Sequence, residues 1–166
     1  MMKKIIFIMA LAIISLGAYS QTSQGDSSFG LSIGGGFDDP NHVTLGIDYR
    51  YNFTDEVRFS PSITYFAKNK GLSALAIDLN AHYVFPLTEY FGFYPLGGMN
   101  ISFWKWKHDL PMIGKLSSNE TRIGANIGLG GELYASEQLT IGVELKYLII
   151  KDVDQAMAAL RIGYNF

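Results

Sequence analysis

The residues able to do chemistry fall at even spacings. Asp48 and Arg50, Asp78 and His82, and Glu144 and Lys146 are separated by two or four positions. Arg58, Arg122, Glu132 and Arg161 stand in the same phase of their own segments. In an extended strand, even spacing puts side chains on one face. Four carboxylates and five cations on a shared face imply an ion-pair network, because a charge taken out of water must be paired. A narrow ion path is the sharper reading of the same face. His82 with Asp78 has the makings of a general base. No serine nucleophile accompanies the pair at a recognisable spacing, so no catalytic site is expected. The three histidines are scattered and make no metal-ligand pattern, so neither metal nor cofactor is expected. The glycine-rich stretch 124–131 is not a phosphate loop, because no helix follows it. A second group, Lys105, Trp106, Lys107, His108 and Lys115, lies in the segment 105–120.

These side chains must be positioned by strands. From residue 28 onward the dominant pattern alternates with a period of two. In 42–53, Val43, Leu45, Ile47, Tyr49, Tyr51 and Phe53 share one face against Thr44, Gly46, Asp48, Arg50 and Asn52. The same alternation fills 73–85, 121–134, 139–151 and the final segment ending at Phe166. Segments 28–36, 57–66 and 90–104 are weaker but compatible, and Pro61 and Pro95 predict a bulge or distorted pairing there. The total is eight strands. Three connections are alike: Phe53-Thr54-Asp55-Glu56, Pro86-Leu87-Thr88-Glu89 and Tyr134-Ala135-Ser136-Glu137. Each carries a hydroxyl residue followed by an acid. Longer connections alternate with them at 37–41, 67–72, 105–120 and 152–155.

The chain has 166 residues, enough for one domain. Hydrophobic residues make up 48% and charged ones 17%, yet no apolar run reaches the roughly 20 residues of a spanning helix. There is no cysteine, which excludes disulfides and thiol chemistry. Lys3 and Lys4, the apolar run from Ile5 to Leu16, and Ala18-Tyr19-Ser20 read as a signal peptide over 1–20, with 21–166 as the mature domain. Without Lys3 and Lys4, 11 bases face 15 acids, a formal net charge of −4. That balance points away from nucleic acid.

Alternation alone leaves two barrels open. A soluble ligand-binding barrel puts its apolar face inside. A membrane barrel puts it outside, against lipid. An eight-stranded interior is only just wide enough for side chains to fill. Bulky Ile, Leu, Phe and Tyr would overfill it. The polar face instead holds 11 of the 18 glycines, Gly30, Gly46, Gly130 and Gly163 among them. The apolar face therefore points out. Aromatics gather near strand ends, with Phe53, Phe85, Trp104, Tyr164 and Phe166 expected at the lipid–water interfaces. Short turns on one side and longer loops on the other predict turns facing the periplasm and 105–120 facing outside.

With its leader, eight amphipathic strands and the terminal Leu160-Arg161-Ile162-Gly163-Tyr164-Asn165-Phe166, the chain resembles the small outer-membrane β-barrel proteins of the OmpA/OmpX-like superfamily. The Ser20-Gln21 junction is similar to export signals of Bacteroidetes. The resemblance covers the mature chain. It implies an all-β, eight-stranded antiparallel up-and-down barrel with a filled polar lumen, in a Gram-negative outer membrane. It also implies insertion by the barrel-assembly machinery, which reads a final strand ending in Phe. The expected role is structural or interactive, in envelope integrity or surface adhesion. A small channel is the alternative, and a soluble lipocalin-like carrier a more distant one. The expected state is a monomer. The expected partners are membrane lipid and lipopolysaccharide, whose phosphates suit the bases of 105–120.

Overall fold

The computed structural model describes residues 23–37, 41–110, 114–151 and 154–166, without the side chains of 107–117. The expected signal peptide over 1–20 lies outside the described residues. Period-two alternation gives nine strand segments: β1 Ser27–Phe37, β2 His42–Asn52, β3 Val57–Asn69, β4 Leu72–Tyr83, β5 Phe85–Pro86, β6 Phe91–Leu110, β7 Gly114–Tyr134, β8 Leu139–Ile150 and β9 Gln155–Asn165. β5 continues β4 past Val84 in the same register on β6, from His82↔Leu96 to Phe85↔Phe93. The wall therefore has eight staves. Each stave pairs antiparallel with its chain neighbours, β1 pairs with β9, and β4 pairs with β6 across the short β5. The sheet closes on itself and leaves no edge around the barrel.

The two prolines distort the ladder without a bulge. Pairing of β2 with β3 lapses between Asp48↔Ser62 and Tyr51↔Phe59, beside Pro61. Pairing of β6 with the β4–β5 stave lapses between Leu96 and Phe93, beside Pro95. On its other side each proline stays paired, Pro61 with Leu79 and Pro95 with Leu129. Proline lacks the donor for one ladder only, so one side opens and the register holds. The β3–β4 register does shift, between Phe66 and Asn69 near the loop end.

The faces divide as alternation requires. Ile123 is 67% and Leu31 60% exposed, whereas Asp78 and Glu132 are each 1% exposed. An apolar surface that encircles the wall far exceeds the patch a water-soluble monomer shows. It fits lipid, and it overturns the carrier with an apolar interior. Phe53, Phe85, Tyr164 and Phe166 face out near the turns.

Trp104 and Phe66, expected near the outer interface, turn inward instead. Phe103 faces out, so the next residue must face in. Trp104 donates its indole N–H to Ser102 Oγ at 2.9 Å. With Phe66, Leu72, Ala74, Ala76, Leu148, Ile150 and Met157 it forms an apolar cap inside the loop end, and Trp106 packs half-buried against it.

The described residues of 105–120 form paired strand where a loop is expected. The β6–β7 ladder runs on unbroken from Lys105↔Asn119 to Leu110↔Gly114. The flanking staves stop earlier, β4 at Leu72↔Trp106 and β8 at Ile150↔Gly124. A two-stranded ribbon thus continues beyond the barrel wall.

At the opposite end the three similar turns share one device. Thr54 Oγ1 accepts the N–H of Glu56 and Val57 at 3.2 and 2.9 Å. Thr88 Oγ1 accepts those of Tyr90 and Phe91 at 3.3 and 3.1 Å. Ser136 Oγ accepts those of Gln138 and Leu139 at 3.3 and 3.0 Å. The hydroxyl thereby satisfies donors that a tight turn would leave free. Thr54→Ala, Thr88→Ala and Ser136→Ala are each expected to cost about 1 kcal/mol, measured by urea unfolding in lipid vesicles.

Candidate functional site

The lumen is filled in tiers. The tier nearest the turns centres on Glu132, carried by β7. Its Oε2 accepts Arg50 Nη1 from β2 at 2.9 Å, and its Oε1 accepts Arg58 Nη1 from β3 at 2.8 Å. Tyr134 adds a hydroxyl to Oε1 at 2.8 Å. Arg50 also reaches Tyr94 Oη at 3.0 Å, Glu144 at 3.3 Å and Asp48 at 3.3 Å. Tyr94 Oη donates to Glu144 at 3.1 Å. Arg161 grips Asp48 through Nε and Nη2, at 2.7 Å for the shortest contact, and holds Ser28 Oγ.

A second tier centres on Asp78. Lys146 Nζ donates to its Oδ2 at 2.7 Å, and the side-chain amides of Asn100 and Asn126 donate to its Oδ1. Asn126 also reaches Asn80 Oδ1 at 2.9 Å. The apolar cap then closes the loop end.

Glycines make these tiers possible. A side chain at Gly130 would strike the ring of Tyr94, and one at Gly30 or Gly163 would strike the guanidinium of Arg161. The large groups of the lumen lie in recesses left by glycines on the same stave or the next one.

The structure thus gathers Asp48, Arg50, Arg58, Asp78, His82, Glu132, Glu144, Lys146 and Arg161 in one interior. Arg122 is not among them. It lies higher, half-buried, pairs with Glu120 at 2.6 Å and caps the carbonyl of Lys151. Its parity is inward, but its height puts it at the rim, where water and a neighbour on its own strand serve it. His82 does not meet Asp78. Four strand residues span roughly 13 Å, and each group has other partners. Arg58 Nε donates to His82 Nδ1 at 3.3 Å, and the imidazole stacks on Tyr94 at 4.6 Å. The imagined general-base pair is therefore absent. Of the segment 105–120, Lys105 is exposed at the loop end and Trp106 is half-buried. Lys107, His108 and Lys115 sit on the ribbon backbone, and their side chains lie outside the described residues.

Tyr94, Tyr134, Asn80, Asn100 and Asn126 belong to the network but carry no charge to flag them in the sequence. Their inward parity, shared with Gly92, Glu132 and Asp78, is the signal that finds them.

A closed wall with an apolar girdle and a charge-paired lumen defines the class, a transmembrane β-barrel of the outer-membrane kind. The chain belongs to the family described as outer membrane protein beta-barrel domain, whose pattern it matches over residues 6–166. Solved barrels share the fold. The N-terminal β-barrel domain of Pseudomonas aeruginosa OprF aligns with a TM-score of 0.69 at 20% identity, over 87% of this chain and 100% of that one. The attachment invasion locus protein Ail of Yersinia pestis aligns at 0.62 and 22%, over 86% and 99%. OprG of P. aeruginosa aligns at 0.61 and 14%, over 92% and 99%. A search of curated proteins found no match.

Removing one member of a buried ion cluster strands the rest. Glu132→Ala leaves Arg50 and Arg58 short of their shared anion and is expected to cost about 3–5 kcal/mol. Arg122→Ala at the rim is expected to cost less than about 1 kcal/mol. Urea titration of the two variants in the same vesicles checks the contrast.

Proposed function

We propose that this chain is a sealed outer-membrane anchor whose working surface is the β6–β7 ribbon, serving attachment or envelope integrity rather than transport. The observation that carries this reading is the free edge of the ribbon. Among the described residues, β7 pairs with β6 alone from Gly114 to Ile123. That edge is roughly 30 Å long at about 3.3 Å per residue. An unpaired edge is a template for a strand from a partner. Arg122 ties down its inner end through Lys151 and leaves the outer part open.

Bases surround this end. Lys105 is exposed, and Lys68 and Lys70 are exposed at the neighbouring β3–β4 turn. Lys107, His108 and Lys115 lie on the ribbon itself. Ammonium groups at this height suit the phosphates of lipopolysaccharide. On this reading lipopolysaccharide and membrane lipid are the standing partners. The barrel-assembly machinery is a transient partner, engaging β9 and the terminal Phe166 after export through the leader over 1–20. The protein acts as a monomer and performs no catalysis.

One observation favours a channel instead. A cavity of about 40 Å³ lies within the lumen beside Ser32, Thr44, Ser60 and Thr64. It has room for a few waters. The cap above it and the Arg50–Glu132 tier below it separate that water from both mouths.

Two measurements test the anchor reading. The unmodified protein in a planar bilayer is expected to give no stepwise conductance. Replacing 107–117 by Asn-Gly joins Trp106 to its register partner Ser118 through a two-residue hairpin turn. That variant is expected to keep the heat-dependent gel mobility of a folded barrel and to lose binding to lipopolysaccharide-bearing vesicles. Stepwise conductance, or unchanged vesicle binding by the shortened ribbon, would count against the proposal.

A further inference from the structure

The end of the barrel away from the ribbon carries its own recess. A vestibule of about 330 Å³ opens at the turn end, between residues 23–28, the turn within 134–140 and the end of β9. That volume is at the low end of the roughly 300–1,000 Å³ usual for small-molecule sites. Its floor presents Arg50, Arg58, Arg161 and Glu132, and its mouth presents Asp26 and Glu137.

The floor is left unfinished. Arg58 is 3% and Asn52 4% exposed, and the two are cross-strand partners in the β2–β3 ladder. Arg58 Nη2 and Asn52 Oδ1 have no hydrogen-bond partner. A buried donor and a buried acceptor on register-paired residues thus stand unserved among the described residues. Each unmade bond of this kind costs about 1–3 kcal/mol, which an entering polar group recovers.

The charges are ordered along the recess. Three guanidiniums and one carboxylate line the floor, with Asp48 and Glu144 balancing them from behind. The rim is acidic. Asp26, Asp55, Glu56, Glu89 and Glu137 are all exposed at this end, with no exposed Lys, Arg or His beside them among the described residues. A simple anion would meet a repelling rim, and a simple cation would find the floor carboxylate already held by Arg50 and Arg58. A molecule with a carboxylate at one end and an ammonium at the other meets neither.

We propose that the turn-end vestibule binds a small zwitterion, an amino acid or short peptide, with its carboxylate toward Arg58 and its ammonium toward Glu137 and Asp26. The orphaned Asn52 Oδ1 accepts an N–H from the ligand. The site lies at the opposite end from the ribbon and does not depend on the anchor reading.

Saturation-transfer NMR on the full chain in lipid nanodiscs tests this with three probes. L-alanyl-L-alanine carries both charges, N-acetyl-L-alanine only the carboxylate, and L-alaninamide only the ammonium. The dipeptide is expected to bind about tenfold more tightly than either single-charge probe, and with a dissociation constant of about 1 mM or less. Glu137 is exposed in a turn, so Glu137→Gln leaves the fold intact. It is expected to weaken dipeptide binding about threefold or more while binding of N-acetyl-L-alanine is not weakened. Three results would each overturn the proposal: no dipeptide binding up to about 50 mM, equal binding of N-acetyl-L-alanine, or dipeptide binding indifferent to Glu137→Gln.

Discussion

Everything in this molecule follows from closing the sheet. In a bilayer no water is present to satisfy a free backbone N–H or C=O, so a strand protein crosses only as a closed ring. The closing seam is the β1–β9 ladder, ten register pairs from Ser28↔Asn165 to Phe37↔Ala156. Closure with eight staves fixes the bore, and the bore fixes the interior chemistry. Large groups at neighbouring inward positions cannot all occupy so narrow a space. Tyr94 therefore lies over Gly130, and Arg161 over Gly30 and Gly163.

The charges in that bore link distant parts of the chain. Arg50 of β2 meets Glu132 of β7, Arg161 of β9 meets Asp48 of β2, and Lys146 of β8 meets Asp78 of β4. The ladders already join neighbouring staves, and most of these pairs join staves across the lumen. Stability alone does not require them, since a well-packed apolar core of equal volume can do as well. Two hubs with fixed hydrogen-bond geometry do something packing cannot. A stave slipped by one residue would send Glu132 or Asp78 out into lipid. The ion pairs therefore penalise every wrong register heavily.

Much of this was legible in residue order, for physical reasons. Period two names both faces of every stave, and volume decides which face is inward. The repeated hydroxyl residue in the tight turns marked the hairpins before its role as acceptor for two N–H groups was visible. Three features were hidden. Trp104 and Phe66 were misplaced because position near a strand end suggested an interface, whereas parity alone decides in or out. The ribbon was hidden because Ser117, Ser118, Asn119 and Glu120 carry no apolar alternation. Its strands persist because they continue a ladder already set in register below. Arg122 shares the parity of the lumen charges but not their height, and alternation does not encode the ends of the bore. Nor does it encode azimuth, so it could not say that Asp78 meets Lys146 and not His82.

The two seals have different physics, and the difference separates the ends of the molecule. The Arg50–Arg58–Glu132 tier fills the bore with paired charge. The cap of Phe66, Trp104, Leu148 and Met157 excludes water by offering it no partner. The small cavity between them has an apolar wall above and an ion-paired tier below. On the anchor reading, whatever binds at the ribbon does not pass to the vestibule through the lumen. It can influence that end only through the wall itself, a set of continuous ladders with little freedom to slide. The two mouths are chemically independent surfaces on one rigid cylinder, and a role for either must be argued from its own residues.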